Sequence, residues 1–151
     1  MPVGASAIRA AVTDVAWPGR LEEFSFRGAR VLLDAAHNPA GARALATFLR
    51  ETGWTDCALV FGSMQDKDAA AMLDALAPVS GAIICTRAPT PRAASAEELA
   101  AIARTAGPDG TVEAIADPAG ALDRACSLRS RAVAAGSIFL IGPLRDILRK
   151  P

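Results

Sequence analysis

The sequence of 151 residues lacks several things that would decide its class at once. It has no GxxxxGK[ST] phosphate loop and no GxGxxG after a strand, so any handling of nucleotide has to manage without the main phosphate cradle. It carries no excess charge, with 16 basic against 16 acidic residues, which excludes the basic footprint of a nucleic-acid binder. No apolar run reaches the roughly 18 residues of a membrane span. The segment Ala5-Ser6-Ala7-Ile8-Arg9 breaks too early for a secretory leader. Cysteine is scarce: Cys57, Cys85 and Cys126 form no CxxC pair, and an odd count argues against a disulfide framework. The expectation is three buried thiols in a cytoplasmic protein. Tyrosine is absent and histidine occurs once, at His37. What is plentiful is apolar residue content, 52% against 21% charged, enough for a real core in one domain.

Short apolar runs alternate with amphipathic stretches. Residues 30–34 read as a buried strand ending in Asp34. Asn38-Pro39 then supplies a helix cap and a first-turn proline, Ala42, Leu45, Phe48 and Leu49 follow at helical spacing, and Gly53 closes the helix. Residues 57–61 are a second strand. Asp66 can cap a helix over 67–77, with Met72, Leu73 and Leu76 inward and Pro78 ending it. Residues 81–85 are a third strand, and Ser95 with Glu98 makes a capping box for a helix through about residue 105. A fourth strand is expected at 111–115 and a helix from Asp117-Pro118 with Ala121, Leu122 and Ala125 on one face. A fifth strand is expected at 137–141 and a final helical turn or two at 143–149. Before all of these, residues 5–14 read as a short helix, Trp17-Pro18-Gly19-Arg20 as a turn, and 21–26 as an edge strand or hairpin arm.

Strands alternating with helices imply right-handed βαβ units in a mostly parallel, Rossmann-like sheet with helices on both faces. Ligands gather at the carboxyl ends of such strands. That rule selects Asp34 to Asn38, Gly62 to Asp68, and Thr86-Arg87. Asp34 can accept hydrogen bonds from a ribose diol, or simply cap the next helix or pair with a base. Arg20, in a rigid turn, suits bidentate phosphate contact; a solvated loop arginine is the alternative. His37 sits between a strand and a helix, where it is catalytic or merely structural. Trp17 is expected to anchor its turn against the domain or a neighbour rather than stack on a ligand. Lys67 is either solvated beside an ordinary cap or within reach of an anion, Arg92 either covers a cleft or lies on the surface, and Ser137 either bonds the backbone at a strand start or holds a substrate carboxylate.

Taken in order, the segments Trp17-Pro18-Gly19-Arg20-Leu21-Glu22, Leu33-Asp34-Ala35-Ala36-His37-Asn38-Pro39, Phe61-Gly62-Ser63-Met64-Gln65-Asp66-Lys67-Asp68, Pro91-Arg92 and Gly136-Ser137 resemble the C-terminal domain of the folylpolyglutamate synthase/dihydrofolate synthase family, part of the Mur ligase superfamily. That family usually has Gly where Ala35 stands, so a positive φ there would strain the alanine. The Asp-x-Ala-His-Asn-Pro form is closer to the folate branch than to the peptidoglycan branch, which usually has Tyr before Ala-His and lacks the Asn.

The resemblance implies a Mur ligase C-terminal (glutamate ligase) domain over 17–151, with 1–16 as a linker remnant and first helix, and an N-terminal ATPase domain that this sequence lacks. It implies ATP-dependent ligation: ATP phosphorylates a carboxylate of dihydropteroate or folate, and L-glutamate attacks the acyl phosphate. By the same resemblance Arg20 and Asp34 contact ATP, His37 and Ser137 serve glutamate binding, and His37 serves catalysis. Mg²⁺ ligands are expected in the ATPase domain, with none here. The isolated domain is expected to be inactive and to bind ATP feebly. A different Mur-type amino-acid ligase, or a non-catalytic Rossmann-like binding module whose cleft is closed by its own side chains, are the competing expectations.

Overall fold

The computed structural model describes residues 17–107 and 110–151. The helix expected at 5–14 and the linker assigned to 1–16 lie outside the described residues.

The described residues open with a turn and then a hairpin. Strands β1 (Glu22–Phe26) and β2 (Ala29–Leu33) pair antiparallel, with Phe26 opposite Ala29 across a tight turn. From β2 onward the chain alternates helix and strand: α1 (Pro39–Glu51), β3 (Cys57–Phe61), α2 (Ala69–Leu76), β4 (Ser80–Cys85), α3 (Ala96–Thr105), β5 (Thr111–Ala114), α4 (Pro118–Leu128), β6 (Arg131–Ala135) and α5 (Ile138–Leu148). The sheet order is β1-β2-β6-β3-β4-β5, and every pairing except β1 with β2 is parallel. This is the expected Rossmann-like architecture, a mostly parallel sheet with helices on both faces.

Side chains alternate across the sheet. Leu32, Leu59, Phe61, Ile83 and Val133 point into a core with α1, α2 and α3. Val31, Leu33, Val60, Ile84 and Ala134 point to the other side, against α4 and α5. Helix starts follow the sequence signals. The Asn38 side chain accepts the Gly41 amide at 2.8 Å, Asp117 accepts that of Gly120, and Ser95 with Glu98 forms the reciprocal capping box.

Three expectations need correction. The last strand is Arg131–Ala135, and residues 138–148, expected to begin as a strand, form α5 with Ser137 as its N-cap. The strand is Ala-rich because it is buried between β2 and β3 under helices on both sides. Ile138 and Phe139, the apolar residues that imitate a strand, are 56% and 46% exposed on the first turn of α5. Secondly, Asp68 rather than Asp66 caps α2, accepting the Ala71 amide at 3.0 Å, and the helix starts at Ala69. Thirdly, Cys57 and Cys85 are buried but Cys126 is only half-buried.

Among the described residues no helix is long and apolar enough to cross a membrane.

Candidate functional site

The order of strands places the carboxyl ends of β2, β6 and β3 side by side, and β6 enters between two strands laid down much earlier in the chain. Backbone bonds stitch these ends together. The Gly136 amide donates to Ala36 O at 2.8 Å, the Gly62 amide to Ala135 O at 3.3 Å, and Asp34 N to Ala134 O at 3.0 Å. Gly136 has φ +115°, and a Cβ there would run into the Gly62 carbonyl. Only glycine lets β6 turn into α5 this close to β3.

Around these ends lies a cavity of about 260 Å³ lined by Arg20, Leu21, Asp34, His37, Leu45 and Phe48 among others. Arg20 is presented by the turn that precedes β1, closed by its own amide donating to Trp17 O at 3.0 Å. Trp17 does not anchor that turn against this domain, since it is 65% exposed. Asp34 leaves the tip of β2 and does not cap α1; Asn38 does that. Its carboxylate instead accepts the Ala36 amide on Oδ1 at 2.9 Å and the Leu21 amide on Oδ2 at 3.2 Å. The side chain is thereby fixed against the arginine turn, and among the described residues its other lone pairs accept no further hydrogen bond. Burial pushes the Asp34 carboxyl above its ordinary pKa, against the opposing pull of those two amides and of the Arg20 charge. The alanine at 35 is unstrained, because it is not among the residues with positive φ.

His37 is exposed and borders this cavity and a second one. Its Nδ1 lies 3.0 Å from Ala35 O. A carbonyl only accepts, so Nδ1 is the donor in this contact, and Nε2 is the ring nitrogen left for another partner. The second cavity, about 170 Å³, is lined by His37, Met64, Lys67, Arg92, Ser137 and Phe139. Ser137 is buried there, with Oγ accepting the Phe139 amide at 3.1 Å at the start of α5. It follows the last strand, where sequence reading put it before one.

Lys67 and Arg92, which the sequence left between a surface role and an anion contact or cleft cover, both border the second cavity. The loops that carry them are cross-braced: Gln65 N donates to Arg92 O at 2.9 Å and Ala94 N to Ser63 O at 3.0 Å, beside an isolated bridge between Met64 and Ala93. Arg92 also pairs loosely with Asp66, at 3.5 Å with both side chains well exposed. Composition gave no signal for this convergence, which arises from two loops that meet only in the fold. Among the described residues no group of three or more His, Cys, Asp or Glu side chains is placed to hold a metal.

Comparison with known proteins agrees with the fold. The model of the family described as "Mur ligase, glutamate ligase domain" matches residues 19–142. A protein of Haloferax volcanii, a probable bifunctional folylpolyglutamate synthase/dihydropteroate synthase, is 36% identical over 143 residues, which are 94% of this chain and 16% of that protein. The dihydrofolate synthase/folylpolyglutamate synthase of Mycobacterium tuberculosis is 41% identical over 132 residues, 85% of this chain and 26% of that one. The chain therefore spans about a quarter or less of the length of these relatives. The structure of M. tuberculosis folylpolyglutamate synthase complexed with ADP superposes with a TM-score of 0.82 at 32% identity, covering 99% of this chain and 36% of that one. With the matched model spanning most of its length, this chain belongs to the Mur ligase glutamate ligase domain family, and within it to the folylpolyglutamate synthase type.

Proposed function

We propose that this chain is the domain of an ATP-dependent carboxylate–amine ligase that closes over ATP and L-glutamate, the acceptor being dihydropteroate or folate. It works with an ATP-binding domain that supplies the phosphate cradle and the Mg²⁺ ligands; none of the residues here is assigned to the metal. The observation that carries the reading is the shared cavity of Arg20 and Asp34, in which the carboxylate is fixed by an amide of the arginine's own turn.

In this reading Asp34 accepts hydrogen bonds from the ribose, Leu45 and Phe48 give the nucleotide an apolar wall, and Arg20 offsets charge on the transferring phosphoryl group. The acceptor carboxylate takes the γ-phosphoryl of ATP, releasing ADP and forming an acyl phosphate. The glutamate amine then attacks the acyl carbon, the C–N bond forms, the C–O bond to phosphate breaks, and inorganic phosphate leaves. The proton lost by the amine goes to His37 Nε2, the ring nitrogen that the Nδ1 contact with Ala35 O leaves available. Ser137, Lys67 and Arg92 line the neighbouring cavity, where a glutamate carboxylate finds two cations and a hydroxyl.

The test is ADP release with dihydropteroate or folate plus glutamate, with this chain joined to the ATP-binding domain of a folylpolyglutamate synthase. Arg20→Ala and Asp34→Ala are each expected to raise the ATP requirement at least about tenfold, the effect of one lost charge-assisted contact. An unchanged ATP requirement in both variants rejects the assignment. The 151-residue chain alone is expected to show no ligation and ATP affinity weaker than micromolar.

A further inference from the structure

The turn that presents Arg20 is tied to the last helix by a contact that the nucleotide reading does not use. Glu22 Oε2 accepts two donors at once: the Gly19 amide at 2.9 Å and Arg145 Nε at 2.7 Å, from a residue 123 positions away. We infer that Glu22 and Arg145 are positioning residues for Arg20, so that helix α5 sets where the guanidinium stands. The inference rests on the reading of Arg20 as a nucleotide contact.

Four features support it. The pair is the most shielded ion pair among the described residues, with side chains 25% and 23% exposed, whereas each of the others has at least one partner 40% exposed or more. Half-shielded charge-assisted bonds hold geometry better than solvated ones. The backbone it holds is not at rest. Gly19, at φ +72°, is where glycine goes readily, but Leu21, a residue with a branched side chain, has φ +48°. Such a conformation persists only where the surroundings over-determine it. Here Glu22 restrains the Gly19 amide on one side of Arg20, and Asp34 restrains the Leu21 amide on the other.

Packing alone does not fix the height of the turn. A cavity of about 310 Å³ lies between Pro18, Gly19 and Ala35 on one side and Ile138, Ile141, Gly142 and Arg145 on the other. The turn comes close to α5 at Gly19, where a Cβ would lie within 2.8 Å of Ile141 Cγ2. Polar ties bridge the rest. Finally, the helix that carries Arg145 begins at Ser137. One rigid element thus reaches both cavities, the first through Arg145 and the turn, the second through its N-cap.

The experiment uses the 151-residue chain, labelled with ¹⁵N, in two arms. The first measures amide exchange at Gly19 and Leu21 against the central-strand amides of β3 and β6. Glu22→Ala is expected to speed exchange at Gly19 and Leu21 at least tenfold while β3 and β6 keep their rates. Arg145→Met is expected to give a smaller acceleration at the same two amides, and Arg145→Lys to restore part of the protection. Unchanged exchange at Gly19, or acceleration spread evenly over all strands, overturns the inference, because the pair is then irrelevant to the turn or merely stabilises the whole domain. Glu22→Gln, which keeps an acceptor for the Gly19 amide, serves where the alanine variant does not fold.

The second arm follows the Arg20 side-chain resonance at millimolar ATP. Glu22→Ala is expected to weaken the ATP-dependent shift about tenfold. If Arg20→Ala leaves the ATP-dependent shifts of residues 34–38 untouched, the nucleotide reading fails. The exchange arm still reports on the tie itself.

Discussion

The Gly136 amide donates to the carbonyl of Ala36 at 2.8 Å, joining the start of the last helical connection to the tip of β2, a hundred residues earlier in the chain. This bond brings Ser137 and His37 to the rim of one cavity. It exists because Gly136 adopts φ +115° and has no Cβ to meet the Gly62 carbonyl. Gly136→Ala is therefore expected to lower stability by about 2 kcal/mol or more, from backbone strain plus the collision. Urea unfolding checks this, and an unshifted midpoint would show that the crossing is not tight.

Two carboxylates should pull the pH dependence of stability in opposite directions. Arg145 and the Gly19 amide hold Glu22 below its ordinary pKa, against a smaller effect of burial. Its contribution is present above the unfolded value near ~4.3 and is lost as pH falls through the folded value. Asp34 is pushed up by burial, so the folded state holds its proton more tightly than the unfolded state does. Its contribution is largest below the unfolded value near ~3.9 and declines as pH rises through the folded one. Glu22→Gln is expected to cost about 1 kcal/mol at pH 7 and progressively less toward pH 3.5. Asp34→Asn is expected to do the reverse, gaining relative to wild type as pH rises. Urea midpoints between pH 3.5 and 7 check both, and parallel profiles for the two variants would contradict the assigned signs.

The three thiols should be sluggish. Burial pushes Cys57 up to about 11, Cys85 to about 12 and Cys126 to about 11. At pH 8 about one thousandth of Cys126 is thiolate, the reactive form. Cys126 alone is half-buried, so iodoacetamide is expected to mark it first and slowly, with Cys57 and Cys85 following only as fast as the protein unfolds. Peptide mass spectrometry over time reads the order. Equal rates at all three would contradict the burial pattern.

Much of this was legible from the residues because local chemistry and global fold agree. Asn38-Pro39, Ser95 with Glu98, and Asp117-Pro118 each start the helix they announce. The strands at 57–61 and 80–85 are apolar on both faces because both faces are covered. The error at the C-terminal end has the opposite cause. Arg-Ala-Val-Ala-Ala has weak strand preference, and Ser-Ile-Phe-Leu-Ile looks like a better strand. A short apolar run cannot be told from a buried helix segment by periodicity. Tertiary position decided it: β6 is filled with small side chains where two helices press on it, and the bulky run lies on α5. The site was half legible. Turn and strand-tip positions singled out Arg20, Asp34 and His37, and Lys67 and Arg92 were named beside them, but the gathering of these residues around two adjoining cavities and the Glu22–Arg145 tie depend on contacts between distant segments, which no local pattern encodes.

Ser137 permits a test that separates folding from ligand binding. Its hydroxyl accepts the Phe139 amide at 3.1 Å and caps α5, while the same side chain faces the cavity shared with His37 and Lys67. Ser137→Ala removes both roles and is expected to cost about 1 kcal/mol of stability, the usual value of a lost N-cap. Ser137→Asp keeps a capping oxygen, so the helix should retain its stability. In the proposed ligation, however, it sets a negative charge against the carboxylate of incoming glutamate. The expected pattern is near wild-type urea midpoints for Ser137→Asp with a glutamate KM raised at least about tenfold and an unchanged KM for ATP, an effect of 1.4 kcal/mol or more on one substrate only. If glutamate KM follows stability across both variants, with Ser137→Asp close to wild type, then Ser137 is a helix cap and nothing more.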